Sequence, residues 1–318
     1  MKWVAARELI PADWDQIHKK ANDELDNLPV CKLYPALSVQ QSQNGRRYKF
    51  RRYASSGEAN EKLRILATLG HALPMTALVA ESDQTLCFDY IDSVSFPDDL
   101  ASYQAMGRWL GSLCAKTWDW DSPSAFDAYH ALWLKDLEES GFFSRSVIQR
   151  ARVHYEAMRP TEVAVCINYW DAMPPNFGIQ SGEAILLDEK HLRMGLSGIS
   201  MVKPRLFLPA AEYTALAEGY QTTALDKDLQ HDQPYLEIVY RTYALWFYLH
   251  GMQIGATTYD VNSRLRRFRA SFLSTHNISA LDIRRDRFVF FLHFPQQTTR
   301  YFWKRVKRWT RRTFQMDS

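Results

Sequence analysis

The sequence predicts an α+β fold in two lobes, a small N-terminal lobe built on an antiparallel sheet and a larger, mostly helical C-terminal lobe. Three observations predict it. At 318 residues the chain is long for a single core, and chains of this size tend to divide. Residues 38–53 read as strand, Asn-Gly turn and strand, a strong short-range hairpin signal. Beyond residue 93 the apolar positions fall mostly at helical spacing. The expected division is residues 1–92 and 93–318.

In the first lobe, Ser38 to Gln41 and Arg46 to Tyr53 flank the turn Ser42-Gln43-Asn44-Gly45. The second strand, RRYKFRRY, is dense in cations, and the two-residue period puts Lys49 and Arg51 on one face. Cations also discourage pairing at a sheet edge, which is the plainer reading of any one of them. A helix follows, with Ser56 as N-cap, Leu63, Leu66 and Leu69 on a shared face, and Gly70 at its end. Leu73-Pro74 turns the chain into an alternating strand from Thr76 to Ala80, and a further strand runs from Thr85 to Ile91.

In the second lobe, Tyr103, Met106, Leu110 and Leu113 form a helical stripe, and Gly107 and Gly111 let another helix approach closely. Tyr235 to Leu249 is apolar nearly all round, the mark of a buried core helix. It is too short and too rich in Tyr and Arg to cross a bilayer. Between these helices lies the most informative stretch, VCINYWDAMPPNFGIQSGEAILLDEK, residues 165 to 190. Val163, Val165 and Ile167 read as a strand, a Pro-Pro turn follows, and Ala184 to Leu187 forms a second strand with Asp188 at its end. This arrangement of Asp171, Asn176 and Asp188 suits phosphoryl transfer and can hold a divalent ion. Magnesium takes hard oxygens from one or two carboxylates or amides and leaves its other positions to phosphate and water.

Composition narrows the field. Hydrophobic residues make up 46% and charged residues 24%, enough for two cores with an ordinary surface. Cys31, Cys87, Cys114 and Cys166 show no Cys-x-x-Cys spacing, and three sit in apolar segments, so buried thiols are expected rather than a zinc site or disulfides. No Gly-x-x-x-x-Gly-Lys-Ser/Thr loop and no Gly-x-Ser-x-Gly elbow is present, against P-loop and hydrolase chemistry. The first residues, MKWVAARELIPADWDQ, carry acids and no long apolar run, so no signal peptide is expected and the location is expected to be cytoplasmic. The segment RYFWKRVKRWTRRTF, residues 300–314, holds seven Lys or Arg and no acid, and Phe302, Val306 and Trp309 share a helical face. Such a basic amphipathic segment at 298–318 fits an anionic membrane surface, with nucleic acid less favoured, or a final helix docked by its aromatic face. It opens a peripheral position at the inner membrane surface.

The 165–190 stretch resembles the aminoglycoside phosphotransferase and choline kinase group, which shares the protein-kinase fold. That group writes its catalytic loop roughly as His-Gly-Asp-x-x-x-x-Asn, with a hydrophobic-Ile-Asp about a dozen residues on. Asp171 and Asn176 keep the step, Leu186-Leu187-Asp188 supplies the later carboxylate, and Tyr169 and Trp170 stand where the group has His and Gly. RRYKFRRY resembles the group's third strand, and Leu216-Ala217-Glu218-Gly219-Tyr220 its "GY" helix. The resemblance implies an N-terminal nucleotide-binding lobe and a C-terminal lobe carrying the catalytic loop. By it, Asp171 orients the acceptor hydroxyl and accepts its proton, while Asn176 and Asp188 hold magnesium on the ATP phosphates. Arg51 or Lys49 grips those phosphates, Glu61 pairs with that cation, and the adenine bonds main-chain groups near Asp89, Tyr90 and Ile91. The implied activity is transfer of the γ-phosphoryl group of ATP to a hydroxyl of a small molecule of amino-alcohol, aminoglycoside or sugar type. Tyr169, Trp170 and the lack of a Gly-x-Gly-x-x-Gly lid motivate an alternative, a non-catalytic kinase-like module that binds a nucleotide or a partner. The basic tail motivates another, a peripheral membrane kinase acting on a lipid or envelope sugar.

Overall fold

A computed structural model describes residues 11–28, 35–70, 72–91, 94–140, 143–224, 234–253 and 272–274. In chain order the first elements are α1 (Pro11–Leu25), β1 (Ala36–Gln41), β2 (Arg47–Arg52), α2 (Ser56–Leu69), β3 (Leu78–Glu81), β4 (Thr85–Asp89), α3 (Leu100–Thr117) and β5 (Asp119–Asp121). Then come α4 (Ser124–Glu139), α5 (Arg145–Met158), β6 (Val163–Tyr169), β7 (Phe177–Gln180), β8 (Glu183–Leu186), β9 (Leu192–Leu196), α6 (Val202–Phe207), α7 (Ala210–Gln221) and α8 (Pro234–Gln253). The architecture is α+β, an antiparallel N-terminal sheet followed by a mainly helical remainder. The described residues form two compact units, those within 1–121 and 164–230 and those within 122–163 and 231–318.

In the first unit the N-terminal sheet has the order β1-β2-β4-β3. The predicted hairpin turns at Gly45, whose φ of +85° favours glycine, and β1 pairs antiparallel with β2. Alternation along β2 then sorts its side chains. Tyr48 and Phe50 join Trp14, Ile17, Ala21 and Leu25 of α1 in one core cluster. Lys49 and Arg51 are buried too, and Tyr53, next in phase with them, packs with Leu86, Phe88 and Ala59 of α2. The cations are therefore interior groups and not edge decoration. Helix α1 covers the other face of the sheet, and its Glu24 accepts a hydrogen bond from the Ser38 hydroxyl at 2.6 Å.

Helix α2 begins one residue earlier than predicted. Ser55, not Ser56, is the N-cap, its hydroxyl accepting from the Glu58 N–H at 3.2 Å, because the Ser-x-x-Glu spacing of a capping box is met only from Ser55. Gly70 ends the helix at φ +52° as expected. Its buried positions are Ala59, Lys62, Ile65 and Leu69.

Helices α3 and α7 pack backbone to backbone. A Cβ at Gly107 would overlap the Leu216 carbonyl oxygen, and one at Gly219 the Gln104 carbonyl oxygen, which is the close approach predicted for the α3 glycines. Gly107→Ala is expected to lower the unfolding free energy by about 1–3 kcal/mol, since neither helix can retreat without opening the core around Met106 and Leu110. Urea denaturation of parent and variant checks it, the midpoint falling at constant slope.

The second unit rests on contacts of α4, α5 and α8. Asp127 accepts from Arg159 at 2.7 Å and from the Tyr155 hydroxyl at 2.6 Å, and Trp246 donates to Asp136 at 2.7 Å. Tyr235, Ile238, Tyr243 and Leu245 of α8 are buried, as expected of a core helix. No helix among the described residues is long and apolar enough to cross a membrane. Cys87, Cys114 and Cys166 are buried free thiols. Cys31 and the basic segment 298–318 lie outside the described residues.

Candidate active site

A hairpin sets Asn176 beside the segment that leads into Asp188. Strands β7 and β8 pair antiparallel, Phe177 opposite Leu186, around a turn at Ser181 and Gly182 with φ of +53° and +80°. The residue before one strand and the residue after the other must then be neighbours. The Leu187 N–H donates to the Asn176 carbonyl at 2.9 Å, so Asp188 follows directly on a group bonded to Asn176. Pro174–Asn176 forms a 3₁₀ turn, and the Asn176 side-chain amide donates to the Asp171 carbonyl at 2.8 Å, closing the loop between them. Upstream, β6 pairs with β9 and ends at Tyr169, which is fully buried and meets the Phe177 ring edge to face at 5.6 Å. Trp170 is buried as well. Both residues that differ from the resembled loop are packing residues here.

Behind the hairpin lies a buried ionic network that joins β2 to the segment after β8. Arg51 bonds Asp188 Oδ1 at 2.6 Å and forms an ion pair with Glu189 Oε1 at 2.7 Å; Lys49 bonds Glu189 Oε2 at 2.5 Å and the Leu187 carbonyl at 2.8 Å. Glu189 is wholly buried. Burial alone would raise its pKa, but the attraction of Lys49 and Arg51 outweighs burial and holds it below the usual carboxylate range. Asp188 is likewise pushed up by burial, yet Arg51, Lys190 and Lys49 bring it down to about 2.

Glu61 does not form the pair expected of it. The α2 stripe of Ala59, Lys62 and Ile65 leaves Glu61 about 100° round the helix and exposed. Its neighbour Lys62 turns inward, donating to the carbonyls of Glu189 and Lys190 at 3.1 Å each and to that of Leu192. Burial lowers the Lys62 pKa to about 7, against the pull of Glu189. The counter-charge to the β2 cations comes instead from Asp188 and Glu189.

Asp171 carries partners of its own. Lys203 of α6 bonds its Oδ1, and His191 Nε2 lies 3.5 Å from Oδ2. Burial lowers Lys203 to about 8, and burial together with Lys190 lowers His191 to about 3, so the imidazole is neutral at ordinary pH. Of the three residues suggested for adenine, Asp89 and Tyr90 have their N–H groups engaged by the Ala77 and Arg47 carbonyls at 2.9 and 3.1 Å. Asp89 also pairs with Arg46 at 2.8 Å, and the Arg47 guanidinium stacks 4.2 Å over the Tyr90 ring. Ile91 lies two residues beyond the end of β4, half-buried.

Glu189, Lys62, His191 and Lys203 were not singled out from sequence. Glu189 had a signal, a second acid beside Asp188 at the strand end. The others had none, because their partners lie far away along the chain.

Among the described residues no group of three or more His, Cys, Asp or Glu side chains is placed to hold a metal. One ionised carboxylate, Asp188, and one amide oxygen, that of Asn176 whose nitrogen serves Asp171, are nevertheless the hard donors that magnesium takes beside phosphate and water. The donor chemistry fits, and in the structure Asp188 Oδ1 bonds Arg51 at 2.6 Å while Oδ2 faces Lys190 at 3.3 Å.

No protein-family model and no curated protein matches the chain. Solved structures do. An amicoumacin kinase in complex with AMP-PNP, Ca2+ and Ami matches with a TM-score of 0.57 and 14% identity over 84% of this chain and 97% of that one. A type I macrolide 2′-phosphotransferase matches with a TM-score of 0.50 and 14% identity over 83% and 98%. The chain has the fold of these small-molecule kinases. The antiparallel sheet β1-β2-β4-β3 lies in the N-terminal part of that fold, and the loop of Asp171 and Asn176 leads directly into β7.

The depressed Asp188 pKa sets a pH dependence. A carboxylate whose folded pKa lies below its unfolded value of 3.8 stabilises above that value, and the contribution is lost as pH falls towards about 2. The parent is expected to exceed Asp188→Asn in melting temperature at pH 6, and the gap to close between pH 4 and about 2. A thermal series across that range, without magnesium, checks it.

Proposed function

We propose that this chain is an ATP-dependent phosphotransferase that moves the γ-phosphoryl group to a hydroxyl of a small molecule of amino-alcohol, aminoglycoside or sugar type. One observation carries the reading. Two hydrogen bonds tie Asn176 to the Asp171 carbonyl and to the Leu187 N–H, the residue just before Asp188, and Asp188 is bonded in turn to a β2 cation, on a kinase-like fold. Asp171 orients the acceptor hydroxyl and takes its proton. Asn176 and Asp188 hold magnesium, which when bound offsets the phosphate charge. Both β2 cations face Glu189, and Arg51 is assigned to the phosphates because it also touches Asp188, whereas Lys49 turns to the Leu187 carbonyl. The main chain at Ile91 is assigned to the adenine, the Asp89 and Tyr90 amides being engaged.

Transfer of label from γ-labelled ATP to a pooled panel of hydroxyl compounds tests the reading. Magnesium-dependent transfer that EDTA abolishes is the expected result. A second reading, a non-catalytic module that binds a nucleotide or a partner, draws on the engagement of Asp171 by Lys203 and of both β2 cations by internal carboxylates. It predicts calorimetric binding of magnesium–ATP with no transfer to any acceptor.

A further inference from the structure

The reaction outlined above leaves unused the ammonium group that sits on its candidate base. Lys203 reaches Asp171 by a built route. After β9 the chain reverses at Gly198, φ +81°, and the Ser200 hydroxyl then donates to Asn168 Oδ1 at 2.9 Å and accepts from the Tyr169 N–H at 2.9 Å. Asn168 in turn donates to the carbonyls of Leu196 and Cys166 at 3.0 Å each. These buried bonds clamp residues 196–200 onto the last residues of β6, two positions before Asp171. Helix α6 starts immediately afterwards with Lys203 in its first turn. The Lys203 and Asp171 side chains are only 17% and 19% exposed. Withdrawing both charges from water is costly, and a pair with no further role is commonly matched in stability by apolar side chains. This pair lies instead at the carboxylate assigned to take the acceptor proton.

We propose that Lys203 is a positioning residue for Asp171, holding Oδ1 and leaving Oδ2, on the His191 side, to meet the acceptor hydroxyl. The inference rests on the phosphotransferase reading. In the step it serves, the hydroxyl proton passes to Asp171 Oδ2 and the acceptor oxygen bonds the γ-phosphorus. The bond from that phosphorus to the bridging oxygen breaks, and ADP leaves with the electron pair. Lys203 gives up no proton. Its fixed charge sets the plane of the carboxylate and offsets the repulsion between Asp171 and the incoming phosphates.

Parent, Lys203→Met and Lys203→Arg are compared for magnesium-dependent transfer from γ-labelled ATP to water and to pooled hydroxyl acceptors, with magnesium–ATP affinity measured by calorimetry on the same preparations. The Met variant is expected to lose roughly 10²-fold in kcat at unchanged KM for ATP, and the Arg variant to recover most of it. Should the Met variant not fold, Lys203→Gln, which keeps a donor but no charge, replaces it under the same criteria. Transfer by the parent with equal kcat in the neutral variant, or a loss that arginine does not restore, would overturn the role of Lys203 alone. Magnesium–ATP binding with no transfer by the parent would overturn the phosphotransferase reading and this role together.

Discussion

Glu189→Gln is expected to lower the unfolding free energy by about 3–5 kcal/mol, measured by urea denaturation without nucleotide or metal. Glu189 is 0% exposed and holds Lys49 at 2.5 Å and Arg51 at 2.7 Å, with both cations themselves buried. Removing its charge leaves Lys49 with the Leu187 carbonyl and Arg51 with Asp188 alone. An interior ammonium stripped of its counter-ion loses the attraction that offset its desolvation, while the desolvation itself remains. The double variant Lys49→Met with Glu189→Leu is expected to recover part of the loss, because it removes both charges and refills the space. A single-variant loss under about 1 kcal/mol would mean that water reaches this network and that the ionic tie between β2 and the segment after β8 carries little of the fold.

Asp171→Asn is expected to reduce phosphoryl transfer by about 10²–10⁴-fold while leaving magnesium–ATP affinity within a factor of about two. Asparagine keeps the shape and the backbone carbonyl that receives the Asn176 amide, so the loop stays closed. What is lost is an acceptor for the hydroxyl proton and the counter-charge to Lys203. Initial rates with labelled ATP, set beside calorimetric affinity, separate the two effects. Transfer within tenfold of the parent would remove Asp171 from the chemistry, whatever the loop geometry.

The fold was largely legible because its signals are local. Asn44-Gly45 specifies a turn, alternation along RRYKFRRY sorts the strand faces, and Gly107 with Gly111 announces a close helix contact, each within a few residues of chain. The N-cap was misplaced by one residue because two serines adjoin and only the distance to Glu58 distinguishes them. The Glu61 pairing was misjudged because a resemblance supplies a role but not the phase of a helix, and one residue of phase exchanges an inward Lys62 for an outward Glu61.

By itself the sequence marked Asp171, Asn176 and Asp188 as candidates and set Asp188 at the end of a strand, because residue spacing and an apolar run are local matters. Tertiary structure alone decided what those charges touch. Lys49 finds Glu189 at a separation of 140 residues, Arg51 finds Asp188 at 137, and Lys203 finds Asp171 across 32. Charge is a property that any distant segment can neutralise, so no spacing along the chain encodes the partner; only the packing of sheet, hairpin and α6 does.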